Sequence, residues 1–204
     1  MLISYDICND NLQNEIINWY TELVSKYDFD KVEYDIIRYP SSNVYSYIDK
    51  EVISESSIQD HGYTEYTMNK FLKQYNLSGD LRTLVLTNKT VRKQWMEFKE
   101  QELINFITNC TNKMKEVDPN IIISAAVMSN YSSAKNTFLQ DYRKWLELSI
   151  IDEIEQLIKC KFLYDDNYEY ISNVGKTSGI ITGIISDEET DSKTISFEVV
   201  VTLD

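Results

Sequence analysis

Histidine is almost missing from this chain: His61 is the only one in 204 residues. That excludes a histidine-rich metal site and disfavours a Ser-His-Asp triad, which needs an imidazole base. Cysteine is scarce as well. Cys8, Cys110 and Cys160 lie far apart with no C-x-x-C pair, which argues against a disulfide framework and against a zinc site. No apolar run approaches the roughly 18 residues of a membrane span, and no leader of the secretory type opens the sequence. As written the chain therefore reads as soluble, cytoplasmic and not exported. Positive charge is in deficit, with 20 basic against 33 acidic residues and a net charge of −13. That argues against nucleic-acid backbones and anionic membranes as partners and does not exclude neutral glycans. A phosphate loop, a nucleotide fingerprint and a metal motif are all absent, so no cofactor and no metal are expected. There is no internal repeat or low-complexity tract.

The length suits one domain with a sizeable core. Fifteen tyrosines and three tryptophans supply flat amphipathic faces of the kind sugars stack on, although most aromatics serve as core. Asn9 or Asp10 can cap a first helix with apolar positions Leu12, Ile16, Trp19, Tyr20, Leu23 and Tyr27. From Ser41 to Thr90 no strong periodicity persists, beyond a short helix at Tyr63 to Tyr75; a loop region this long is usually functional or disordered. Val91 to Val117 carries the strongest helical spacing, through Val91, Trp95, Phe98, Phe106, Cys110 and Met114, and Asp118-Pro119-Asn120 ends it. Ile121 to Met128 is a near-continuous apolar strand, as expected when both faces are covered. Ser129 to Lys135 reads as the loop at its end, where Asn130 and Tyr131 could touch a ligand. A helix over Phe138 to Leu148, a strand over Ile150 to Ile154 and a helix over Tyr164 to Val174 follow. The last stretch, 179–204, reads as a β-rich tail.

The chemistry concentrates in Tyr27 to Ser42, YDFDKVEYDIIRYPSS. Val32, Tyr34 and Ile36 alternate with Glu33, Asp35 and Ile37, so one strand face carries two carboxylates. Arg38, Tyr39 and Pro40 close the strand. Acids at the C-terminal end of an interior strand are where a β/α barrel keeps its chemistry; the same spacing also suits an edge strand with solvated acids.

This stretch resembles the signature strand of the glycosyl-hydrolase-like family ten, which reads roughly Y-x-V-D-G-I-H-x-D-Y-I-R-Y-P in a TIM-type barrel. Asp30, Asp35, Ile37, Arg38, Tyr39 and Pro40 match, while Lys31, Glu33 and Ile36 replace glycine, histidine and tyrosine. Softer matches follow. Gly62-Tyr63 fits the Gly-Tyr of a substrate-side insertion, and Trp95 to Lys99 resembles W-x-x-W-R with Phe98 and Lys99 as replacements. Gln140 to Leu146 resembles Q-D-W-x-x-W-L with Tyr142 for the first tryptophan. Ser149 to Ile154 resembles G-x-I-D-x-I, but Gln156, Leu157 and Lys159 stand where proline, methionine and tyrosine are expected. The resemblance covers about residues 3–158. It implies an α/β fold, a partial TIM-type (β/α) barrel that lacks the first strands, since a complete one takes about 250 residues. The whole chain, 1–204, is then a single incomplete barrel domain. Members of the family are often exported, which sets this start inside the family domain.

Glycoside hydrolysis needs a proton donor and a carboxylate nucleophile or base, about 5–5.5 Å apart for retention and about 6.5–9.5 Å for inversion. The resemblance makes Asp35 the first candidate. Glu33, two residues back, is expected one layer deeper, where burial would raise its pKa; it could serve as the acid or pair with a barrel Arg or Lys. Asp152, Glu153 and Glu155 are the other possible partners, and parity does not choose among them. Arg38 either orients Asp35 or a sugar hydroxyl, or makes a structural salt bridge. Tyr39 either stacks on a sugar ring or plugs the barrel mouth. Three functional readings follow: a glycoside hydrolase acting on a cell-wall or other polysaccharide, an inactive carbohydrate-binding remnant, and a truncated gene product. The partner class is carbohydrate, and a homo-oligomer could cover open sheet edges.

Overall fold

The computed structural model describes residues 6–157; Cys160, the helix expected at 164–174 and the tail at 179–204 lie outside them. The chain divides into two compact units, Met1–Gln156 and Leu157–Asp204, and the first is the one described here. In order it holds α1 (Asp10–Lys26), β1 (Lys31–Tyr34), two short 3-10 turns (Val44–Tyr47, Glu55–Ser57), α2 (Glu65–Gln74), α3 (Leu81–Thr87) and α4 (Lys89–Val117). Then come β2 (Ile122–Met128), α5 (Tyr131–Phe138), α6 (Tyr142–Glu147) and β3 (Glu153–Leu157). The result is a mixed helix-and-sheet unit built on a small three-stranded sheet in the order β1-β2-β3. β1 and β2 run parallel, with Lys31 opposite Ile122 and Tyr34 opposite Ala125.

Side chains alternate across this sheet. Tyr34, Ile123, Ala125 and Val127 face the main core, which α1, α4 and α6 complete with Ile17, Val24, Ile107, Met114 and Trp145. The other face carries Lys31, Glu33, Ser124, Glu153 and Glu155. The spine is α4, about 43 Å long at 1.5 Å per residue. Its second half (Leu103 to Met114) lies in that core. Its first half (Val91 to Phe98) lies in a second cluster with Phe71, Leu81, Val85 and Leu139. Trp95 and Phe98 therefore pack under α2 and α3, not on the sheet; Phe71 meets both rings edge-on, at 5.2 and 5.4 Å between centroids.

Four local expectations are corrected. The signature strand stops at Tyr34 instead of running to Ile37, because the chain turns at Asp35-Ile36. Ile36 takes a left-handed φ of 53° and stands 62% exposed. The segment Ser129 to Lys135 is not a loop. Asn130 accepts from the Ser133 amide (2.8 Å) and starts α5, and left-handed Leu139 ends it. Asp141 then caps α6 by accepting from the Lys144 amide, so the single helix expected over 138–148 is two. Lastly, α1 is capped by Asn9, but its buried positions are Gln13, Ile17 and Val24, while Trp19, Leu23 and Tyr27 are largely exposed.

Cys8 and Cys110 are free and buried, and burial pushes each thiol up to about 11. Thiolate is the reactive form. In the native protein at pH 8 both are expected to escape a chromogenic disulfide reagent. Thiol titration should therefore count two fewer reactive groups before unfolding in urea than after it; equal counts would contradict this packing.

Candidate active site

The C-terminal ends of the strands are assembled by backbone. After the Asp35-Ile36 turn, Tyr39 donates its amide to the Phe138 carbonyl (3.0 Å) and Ser42 to Thr137 (2.8 Å). Gln140, almost fully buried, ties this lip to β2. Its Oε1 accepts from the Met128 amide (2.9 Å), and its Nε2 donates to the carbonyls of Ala126 (3.2 Å) and Ile37 (3.4 Å). Arg38 lies with its guanidinium 4.6 Å from the Phe138 ring centroid and has no carboxylate partner among the described residues. Tyr39 turns inward: its hydroxyl meets Cys8 Sγ at 3.2 Å, and burial pushes that hydroxyl well above its ordinary pKa.

Behind the lip, Asp60 and Lys99 form a buried ion pair at 2.6 Å, each side chain 1% exposed. The Asp60 carboxylate also accepts from Trp95 Nε1 (2.9 Å), the Tyr63 hydroxyl (2.8 Å) and Ser42 Oγ (3.2 Å). Gly62 has a φ of +95°, and a Cβ there would sit 3.4 to 3.8 Å from Lys99, Tyr39 and Trp95. This network fixes the segment between β1 and α2 against α4.

The carboxylates sort by the face and end of the sheet. Asp152 hydrogen-bonds across to β2, its amide to the Ile123 carbonyl (2.8 Å) and its carboxylate to the Ile123 amide (2.8 Å), and it pairs with Lys115 at 2.7 Å. Burial opposes ionisation there, but Lys115 and the amide outweigh it and hold Asp152 below the usual carboxylate range. Ile123 is level with Val32, three residues and about 10 Å short of Asp35 at strand rise. Asp152 and Asp35 thus lie toward opposite ends of the strands and do not meet.

Glu33, Glu153 and Glu155 do converge, and Lys31 joins them. Lys31 Nζ lies 3.0 Å from Glu153 Oε2 and bonds to Glu155 Oε1. A hydrogen bond with Glu155 raises the Glu33 carboxyl above its ordinary pKa, with further contributions from desolvation and the negative charge of Glu155 and Asp35. Glu155 is shifted down, first by its hydrogen bond with Lys31 and then by that with Glu33. Glu33 is exposed, so the expected cause, burial one layer deeper, is replaced by a neighbouring carboxylate. Ser124 sits directly across the register from Glu33. It is fully buried, and its Oγ has no hydrogen-bond partner among the described residues.

A family model described as glycosyl hydrolase-like 10 matches residues 3–173. The chain belongs to the glycosyl hydrolase-like 10 family. No curated protein matches it significantly. For this family member, the two ligand-contact positions expected after β2 are occupied locally. Asn130 caps α5, and Tyr131 gives its hydroxyl to Asp141 (2.7 Å) beneath Arg143, 4.0 Å from the ring centroid. Glu100 and Asp141 make a second acid pair: burial first, then Asp141, raises Glu100. Burial opposes ionisation of Asp141, but Lys135 and Tyr131 outweigh it and hold Asp141 down. Capping α6 saturates Asp141, which leaves it little freedom for chemistry. Lys31 was legible only as a departure from the family glycine. The i, i+2 acids of β3, matched to Lys31 and Glu33 of β1, were the signal for its role. Among the described residues no three His, Cys, Asp or Glu side chains are grouped to hold a metal.

Proposed function

We propose that this glycosyl hydrolase-like 10 protein hydrolyses O-glycosidic bonds of a polysaccharide, on the scaffold of a truncated TIM-type barrel. In this reading Glu33 is the proton donor and Glu155 the anionic partner, with Asp35 and Arg38 at the lip contacting the sugar. The scaffold reading is supported by the strand order and by the helices between successive strands: α2, α3 and α4 between β1 and β2, α5 and α6 between β2 and β3.

One observation carries the assignment. Lys31 bonds Glu153 and Glu155 on the sheet face that also carries Glu33, and the neighbouring carboxyls are pushed apart in pKa, Glu33 up and Glu155 down, which is how an acid and a base separate at a site. Both carboxyls are solvent-accessible. Lys31 favours the ionised form of Glu155, and Ser124, whose hydroxyl has no partner among the described residues, lies across the register from Glu33.

Reducing-end release from soluble β-glucan, xylan and starch and from cell-wall glycan tests this. Glu33→Gln is expected to lower the rate by about 10²–10⁴-fold, the usual worth of a general acid. Asp35→Asn, which removes a proposed sugar contact, is expected to weaken glycan binding and raise KM, with a smaller effect on turnover at saturating glycan. The wild-type rate should fall as pH rises through the elevated Glu33 pKa. Unchanged turnover in Glu33→Gln would remove Glu33 from the chemistry. Glycan binding with no release by the wild type would establish the carbohydrate-binding remnant instead.

A further inference from the structure

A cleft of about 330 Å3 lies on the helical side, away from the strand ends, between α1, α2 and α4. Its floor is Gln13, Lys70 and Glu102, and its α4 wall presents Gln101, Asn105 and Asn109. Those three recur every four residues, so they form one stripe on the helix.

The charge in this cleft is internally consumed. Lys70 Nζ sits 2.7 Å from Asp10 Oδ1 and 2.6 Å from Glu102 Oε2, and also donates to the Cys8 carbonyl at 3.3 Å. One ammonium faces two carboxylates, so an anionic ligand would be repelled and Lys70 has no capacity left for it. The amides are the reverse case. Gln101 Nε2 donates to Asn105 Oδ1 at 2.9 Å, which leaves the Asn105 NH2 and the Gln101 carbonyl open. Asn109 makes no side-chain hydrogen bond among the described residues. Each amide offers donors and an acceptor in one plane, the set that pairs with vicinal hydroxyls. Tyr66 stands beside Asp10, its hydroxyl 2.9 Å from Oδ2 and its side chain 39% exposed. Asp10 lines the cleft, so the Tyr66 ring bonded to it lies at the α1 and α2 edge, an apolar face of the kind a pyranose stacks on.

We propose that this cleft is a second saccharide site that takes a neutral oligosaccharide, separate from the carboxyl pair on the sheet. It rests on the reading that the protein meets glycans, and it would hold the polymer while the sheet face acts on it.

The test uses the full chain labelled with 15N and titrated with cellohexaose, maltohexaose and chitohexaose, reading the side-chain NH2 resonances. At least one sugar is expected to shift the Asn105 and Asn109 signals, and the double substitution Asn105→Ala/Asn109→Ala should weaken that binding at least tenfold. Both residues are exposed on α4, so the variant is expected to melt like the wild type. Glu33→Gln should leave the shifts unchanged. No shift at these amides with any of the three sugars, or undiminished affinity in the double variant, overturns the site. Shifts here without reducing-end release would retain this site and remove the hydrolase reading. Release without shifts would do the opposite.

Discussion

Replacing Lys99 by methionine is expected to destabilise the protein by about 3–5 kcal/mol, the cost of stranding one partner of a buried ion pair. Asp60 would keep its Trp95, Tyr63 and Ser42 donors but lose Lys99, the one cation among the described residues that is bonded to it, at 2.6 Å. Burial pulls the Lys99 ammonium down. Burial also opposes ionisation of Asp60, but Lys99 and the surrounding donors outweigh it and hold Asp60 below the usual carboxylate range; at this distance in a dry site we take the pair as ionised. Asp60→Asn combined with Lys99→Met should recover much of the loss, because no uncompensated charge is then buried. The pH dependence has a definite sign. In the wild type the folded pKa of Asp60 lies below its unfolded value of about 4, so its contribution is present above that value and is lost as pH falls through the folded pKa. In Lys99→Met the Asp60 pKa should rise, and its contribution is then lost as pH rises through the new value. The stability gap between the two proteins should therefore narrow from pH 7 to pH 4. Urea melts at both pH values measure it, and a constant gap would mean that the pair is not what holds Asp60 charged.

Arg92→Met is expected to cost about 3–5 kcal/mol as well, through hydrogen bonds, since Arg92 has no ion pair among the described residues. The guanidinium is fully buried and donates to five backbone carbonyls: Val85 (2.9 Å), Leu86 (3.0 Å), Tyr47 (2.9 Å), Ile48 (3.3 Å) and Lys50 (2.5 Å). Val85 and Leu86 lie in the last turn of α3, and Tyr47 ends the first 3-10 turn. One cation thus closes the carbonyl ends of two helical segments, where positive charge is favoured. Lysine has three donors on a single point and cannot span this set, so Arg92→Lys should recover less than half of the loss. Denaturant midpoints with an unchanged slope would confirm a stability effect. Near-wild-type stability in Arg92→Met would mean that water can replace the guanidinium.

Where the chain carried a strong local pattern, its elements were legible. The spacing from Val91 to Met114 marks α4, and the apolar run Ile121 to Met128 marks β2, because a helix stripe and a doubly covered strand each leave a period or a run. In the region from Ser41 to Thr90 only the short helix at Tyr63 to Tyr75 was legible, and it is α2; α3 and two short 3-10 turns left no period. Its helices are short, and their packing surface is a second core reached only when Phe71, Leu81 and Val85 meet the first half of α4. Asn130 and Asp141 were visible as residues, but as ligand contact and motif member; their roles as caps follow from a backbone turn at Leu139 that no periodicity announces.

The sequence by itself determined the family, through D-x-I-R-Y-P, and the acidic balance, a net charge of −13, because motif and charge are properties of the linear chain. Tertiary structure decided which carboxylates meet. Glu33 and Glu155 are 122 residues apart in sequence, counting from 33 to 155, and only the pairing of β1 and β3 on either side of β2 brings them onto one face. Asp152, one residue before Glu153, is withdrawn to Lys115 and the Ile123 amide. Strand parity assigns neighbours to opposite faces, and the packed helices decide which face joins the main core.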